Sequence, residues 1–151
     1  MDLLKKLNHK EQMDICILNA PTAFGGAMQE MANEAQVSAS LTTGTTQFFL
    51  VFVVDRKALD TAVEEIRSHI DGTTVLWFAY PKKSSKRYRS DINRDEGWSI
   101  LGRMGYEPVR QVSIDEDWSA LRFKPVKKIK KLTRRKNMAL SDEAIIRLEN
   151  S

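Results

Sequence analysis

Apolar positions recur along this chain in two rhythms. Residues 14–19, 48–54 and 75–80 are short, nearly unbroken apolar runs, the last two rich in β-branched and aromatic side chains. Runs of that length and make-up predict strands covered on both faces. Residues 37–41 alternate with period two and predict a fourth, less buried strand. Residues 109–114 and 118–123 predict two more, and the three-residue link Asp115-Glu116-Asp117 allows only antiparallel pairing between them.

The second rhythm is helical. Leu59, Val63, Ile66 and Ile70 recur at i, i+4, i+7 and i+11, one face of a helix. Asp55 is placed to cap its start, and Asp71-Gly72 to end it with Gly72 in a left-handed conformation. Phe24, Met28, Met31 and Ala35 give helical spacing over residues 24–36, with Gly25-Gly26 weakening its start. Leu3, Leu4 and Leu7 make residues 2–8 a short amphipathic opening. Asn93 and Glu96 stand in capping-box spacing ahead of a helix that carries Trp98, Leu101 and Met104 inward and stops at Gly105. Strand–helix–strand units demand parallel pairing with right-handed crossovers. The predicted architecture is therefore a three-layer, Rossmann-like α/β domain. Its six-stranded sheet is mostly parallel, with an antiparallel C-terminal strand and the order 2-1-3-4-6-5. Pro125 marks the end of that domain, which spans residues 1–124. Residues 125–151 form a basic C-terminal arm, with Ser141 placed to cap a short terminal helix.

Composition changes this picture in one respect. The chain has 151 residues, 42% hydrophobic and 29% charged, with a net charge of +4. That length suits a single domain burying roughly 70% of its unfolded surface. The charge, however, is unevenly spread. Residues 124–151 hold nine Lys/Arg and three Asp/Glu, while the preceding 123 residues hold fifteen basic and seventeen acidic side chains. The basic character belongs to the arm, and the body is slightly acidic. No apolar run approaches the ~20 residues that span a bilayer, and the opening Met1-Asp2-Leu3-Leu4-Lys5-Lys6 lacks the apolar core of a signal peptide. With a single cysteine, Cys16, no intrachain disulfide is possible. These features lead to the expectation of a cytoplasmic protein with no membrane partner.

Candidate chemistry is concentrated in one loop. Lys82, Lys83, Lys86, Arg87, Arg89 and Arg94 stand against one acid, Asp91, after a central strand, at the edge where open α/β sheets bind ligands. The loop leads to a helix start, whose N–H groups attract anions. Asn93 stands there, and Tyr88 offers a face on which a base could stack. The plainer reading is a solvated loop. The turn Asn19-Ala20-Pro21 occupies the place of a glycine-rich phosphate loop but has no glycine, and Pro21 has no N–H to give. It reads first as an ordinary turn, with Asn19 the residue that could reach a ligand. In the arm, Lys127, Lys128, Lys130, Lys131, Arg134, Arg135 and Lys136 form an acid-free run that could bind nucleic acid through phosphate counterion release, or simply solubilise the chain. Trp118 and Arg122 share a strand face, with Asp115 and Asp117 expected to pair with Arg122. His9 and His69 show no evident partner, Cys16 has no adjacent base, and no His/Cys cluster has metal-ligand spacing. No catalytic residue, metal or cofactor is expected.

Two resemblances bear on this reading. The path over residues 48–123, closing with Gly105-Tyr106 and a returning antiparallel strand, resembles the last strands of the class I methyltransferase fold. The segments Leu18-Asn19-Ala20-Pro21 with Phe24, Tyr80-Pro81-Lys82-Lys83 followed by Asp91-Ile92 and Arg94-Asp95, and Asp117-Trp118-Ser119-Ala120-Leu121-Arg122-Phe123 are similar to a bacterial domain-of-unknown-function family of small Rossmann-like proteins, over roughly residues 3–124. That resemblance implies a fold and no reaction. The leading expectation is thus a non-catalytic protein binding a nucleotide, phosphate ester or nucleic acid at the basic loop. The alternatives are a divergent methyltransferase-like enzyme, or an interaction protein acting through its basic tail. Oligomeric state is left open, with the edge strand and the terminal helix as the places where a homodimer would form.

Overall fold

A computed structural model describes residues 3–128. Its sheet is built from β1 (Asp14–Leu18), β2 (Gln36–Ser38), β3 (Phe48–Phe52), β4 (Val75–Pro81), β5 (Tyr106–Ser113) and β6 (Trp118–Pro125). The order is β2-β1-β3-β4-β6-β5. β2, β1, β3 and β4 run parallel, while β6 pairs antiparallel with both β4 and β5. This is the expected topology. The reason is visible in β3 and β4, every residue of which is buried. A strand that is apolar on both faces is stable only inside a sheet covered by helices on both sides.

The two faces have separate cores. Ile15, Ile17, Phe48, Leu50, Phe52 and Trp77 point to one face with Leu4, Leu7, Phe24 and Met31, contributed by or next to α1 (Leu3–Lys6) and α2 (Gly25–Met31). The Trp77 indole donates to Leu7 O at 2.9 Å and ties the N-terminal segment to the sheet. Phe49, Val51, Leu76 and Phe78 point to the other face, against Leu59, Val63 and Ile66 of α3 (Arg56–Ile66) and Leu101 of α4 (Ser99–Arg103). Asp55 caps α3 by accepting from Ala58 N at 2.8 Å.

Several local expectations are corrected. The helix expected over residues 24–36 is a 3-10 turn, Thr22–Phe24, followed by the seven-residue α2. Gly72 does not take a left-handed conformation, which among the described glycines belongs to Gly44, Gly97 and Gly105. α3 instead ends through a 3-10 turn, Arg67–His69. β5 begins at Tyr106, three residues early, because a bulge between Pro108 and Arg110 lets the edge strand carry a proline. Asn93 does not cap α4, which starts six residues later. Among the described residues no helix is long and apolar enough to cross a membrane.

Candidate functional site

The carboxyl ends of β1, β3 and β4 open on one rim of the sheet. After β1 the chain moves to β2 on one side, then returns as β3 on the other, so that β1 and β3 are neighbours with Leu18 opposite Val51. A reversal of strand order of this kind leaves a crevice, and ligands of open α/β sheets bind there. A cleft of about 520 Å³ lies at this point, lined by Asn19 beyond β1, Phe52 and Val54 at the end of β3, the cap residue Asp55, and Lys57, Ala58, Thr61 and Glu65 along α3. Val54 is 40% exposed, one of few large apolar side chains that are among the described residues. Asn19 has a φ of 61°. Side chains other than Gly, Asn and Asp seldom adopt that left-handed conformation. Asn19 therefore makes the sharp departure from the strand that a glycine would otherwise supply. Val54, Asp55 and Thr61 were not singled out as site residues. Asp55 read only as a cap, although its position directly after the strongest strand was the available signal.

The basic loop lines several hollows: Lys82, Lys83, Tyr88 and Arg89 share one of about 280 Å³, and its remaining cations divide between two others. Pro81 ends β4 with Tyr80 directed to the α3/α4 side. Lys82, Lys83, Asn93 and Arg94 line a hollow of about 390 Å³ there, together with Tyr80 and Ser119. Residues 84–88 curl over the rim to the opposite side, held by Ser85, whose hydroxyl donates to Asp117 Oδ1 at 2.8 Å and accepts from the Arg87 and Tyr88 amides at 3.2 Å. Lys86, Arg87 and Tyr88 consequently line a different cleft, of about 660 Å³, against Pro21, Asp117 and Trp118. The turn after β1 is thus shared, with Asn19 on one cleft and Pro21 on the other.

The partners of these side chains refine their roles. Lys82 Nζ donates to Ser113 Oγ at 2.6 Å. Arg87 approaches Asp117 at 3.8 Å from a largely exposed position, a contact of small energetic weight. The Tyr88 ring packs on Trp118 with centroids 4.9 Å apart, so one face of it is already covered. Asn93 Oδ1 accepts from Asp95 N and Glu96 N at 2.9 and 3.0 Å, and Asn93 O accepts from the Trp98 indole at 2.7 Å. Asn93 shapes its own loop and does not lie at the start of α4.

Arg122 forms no ion pair with Asp115 or Asp117. Asp115 closes the turn by accepting from Asp117 N and Trp118 N. Arg122 lies four residues beyond Trp118 on β6, about 13 Å along the strand from it, opposite Trp77 on one side and Arg110 on the other. Its Nε is buried without a hydrogen-bond partner among the described residues. Burial, then the nearby Arg110 charge, push its pKa down. Both histidines do have partners: His9 Nε2 donates to Gln12 O and His69 Nδ1 to Gly44 O, each at 2.8 Å. Burial raises the Cys16 thiol pKa, away from nucleophilic reactivity. Among the described residues no group of three or more His, Cys, Asp or Glu could hold a metal. In the arm, Lys127 is exposed and Lys128 belongs to a 3-10 turn, Val126–Lys128. Lys130, Lys131, Arg134, Arg135, Lys136 and the expected terminal helix lie outside the described residues.

No family model matches the chain, and no curated protein matches it in sequence. Solved structures do. A SAM-dependent methyltransferase from Aquifex aeolicus aligns with a TM-score of 0.56 at 13% identity, over 82% of this chain and 88% of that one. The DhpI–SAH complex aligns at 0.51 and 10% identity, over 82% of each chain. The tRNA methyltransferase TrmK of B. subtilis aligns at 0.50 and 8% identity, over 99% of this chain and 76% of that one. At such identities the likeness is one of fold. It supports the methyltransferase-fold resemblance, whereas the small Rossmann-like family finds no matching model. It also overturns the expectation of a protein without a cofactor, because the neighbours include a SAM-dependent enzyme and a structure with SAH.

Proposed function

We propose that this chain is a methyltransferase-like protein that binds S-adenosylmethionine in the cleft between the ends of β1 and β3. One observation carries the reading: the cleft sits at the sheet's reversal of strand order, walled by the left-handed Asn19, in a fold shared with SAM-dependent methyltransferases. The residues present fit the ligand's chemistry. Phe52, Val54 and Ala58 offer apolar surface to an adenine ring. The Asn19 amide can donate and accept, the Thr61 hydroxyl can do both, and the Asp55 carboxylate uses one oxygen as a cap and has a second for a ribose hydroxyl or a cationic group. At about 520 Å³ the cleft is of ordinary size for a small-molecule site. Bound there, the cofactor would supply an electrophilic methyl group. The acceptor occupies the neighbouring 660 Å³ cleft across the turn after β1, which Asp115, Glu116 and Asp117 line as acids.

Titration calorimetry and thermal shift with S-adenosylmethionine and S-adenosylhomocysteine test this directly. Both are expected to bind and raise Tm. Val54→Arg, at an exposed position, should abolish binding while leaving the ligand-free Tm within a degree or two. Absence of heat and of any shift with both ligands overturns the proposal, as does unchanged binding to Val54→Arg.

A further inference from the structure

The 390 Å³ hollow on the α3/α4 side shares no lining residue with the proposed donor cleft and has a different chemistry. Three neighbouring strands contribute polar groups to its floor on one face of the sheet. Tyr80 of β4 is paired in register with Ser119 of β6, and Gln111 of β5, opposite Leu121, lies two positions from the Ser113–Ser119 pair on the same face. Elsewhere the same face carries the apolar core, so hydroxyls and an amide gathered here stand out from it. Tyr80 is 3% exposed and its ring is wedged edge-on against Trp98, which fixes where its hydroxyl points. Gln111 Nε2 donates to that hydroxyl at 2.6 Å. The buried Ser119 hydroxyl donates to it as well, so the phenolic proton is free to be donated onward. Above this neutral floor stand the exposed Lys83 and Arg94, with Lys82 held by Ser113 and Asp95 the one acid of the lining. The wall carrying Arg94 is pinned from below, because Asp91 Oδ1 accepts from the Arg56 amide at 2.8 Å and the Trp98 indole grips Asn93 O.

We propose that this hollow binds the phosphate of a phosphomonoester, with the Tyr80 hydroxyl and the Lys83 and Arg94 cations as donors and Ser119 orienting the Tyr80 hydroxyl. A phosphate has acceptor oxygens in several directions, and a buried neutral donor combined with flexible cations meets that need. Charge-assisted bonds of this type are roughly twice as strong as neutral ones. The volume accommodates the phosphate and a small part of the molecule that carries it. The site stands independently of the methyl-donor reading.

The test is an amide NMR titration of the full-length chain with inorganic phosphate and with adenosine 5′-monophosphate. Saturable shifts are expected at Tyr80, Asn93 and Ser119 with both probes. Lys83→Ala combined with Arg94→Ala should weaken binding at least tenfold, and both positions are exposed, so folding is retained. Lys86→Ala combined with Arg87→Ala, in the other cleft, should leave binding unchanged. The proposal is overturned by three results: no saturable shift, equal weakening by the two double variants, or a site that takes inorganic phosphate and excludes the monoester. S-adenosylmethionine titrated into the same samples separates the two readings, since loss of one binding event leaves the other measurable.

Discussion

Arg122 is where the folded sheet is least satisfied, and replacing it should make the protein more stable. Its Nε is buried with no hydrogen-bond partner among the described residues, and Arg110 lies directly opposite on β5. An unpaired buried donor costs about 1–3 kcal/mol, and like charges facing each other across a strand pair add a few tenths to about 1 kcal/mol. Arg122→Met keeps the aliphatic stem that packs beside Trp77 and removes both penalties. Some packing is lost with the guanidinium, so a net gain of about 1 kcal/mol is expected, or roughly 3 °C in Tm for a chain of this size. Urea unfolding followed by tryptophan fluorescence measures it, as a rise in midpoint without a change in slope. Arg110→Gln should stabilise the native chain by a few tenths of a kcal/mol and do nothing in the Arg122→Met background, since the repulsion it relieves is then already gone. A lower midpoint for Arg122→Met would show that the guanidinium has a partner in the folded protein and would refute the reasoning. Ligand binding should not change, because Arg122 faces the α1/α2 side and the Tyr80 hollow the other.

Three further outcomes follow from other contacts. Asp55→Ala removes the acceptor for Ala58 N and should cost about 1 kcal/mol in chemical denaturation, whereas Asp55→Asn, an equally good cap, should cost much less. Gly97 has a φ of +102°, and a Cβ there would come within 2.9 Å of Ile92 Cγ1. Gly97→Ala should therefore lower stability by about 1–3 kcal/mol and weaken phosphate binding through the loop that carries Arg94, read by the same titration. Burial raises the pKa of Cys16, Tyr80 and Tyr106 above their ordinary values of 9.0 and 10.0. The unfolded chain loses these protons first, so their contribution is complete below about pH 9 and declines as pH rises through 9 to 10 and beyond. Tm should fall steeply over that range, and less steeply in Tyr106→Phe.

Much of the architecture was legible because it rests on patterns with few alternatives. Three apolar runs must be buried on both faces, and the crossovers between them have one hand. The tight Asp115–Asp117 link could only join antiparallel strands. The misreadings arose where a local signal competed with a tertiary one. Asn93 and Glu96 have capping spacing, yet Trp98 pulls that segment into a loop by bonding Asn93 O. The strand expected from residue 109 starts at Tyr106, and Pro108 is tolerated in it because β5 lies at the sheet edge with a bulge.

The candidate site divides in the same way. The amino-acid order placed the cations after β4 and the Asn19 turn after β1, and parallel pairing brings both to one rim. Whether neighbouring residues share a pocket depends on which side of the sheet each faces after the strand ends. Ser85, by gripping Asp117 across 32 positions in the chain, sends Lys86 and Arg87 to one side and leaves Lys82 and Lys83 on the other. Tyr80, Gln111 and Ser119 meet only through the register of three strands. Local order determined what chemistry was available at the rim; long-range pairing decided which groups face a common ligand, because contacts between distant segments leave no periodic trace in either one.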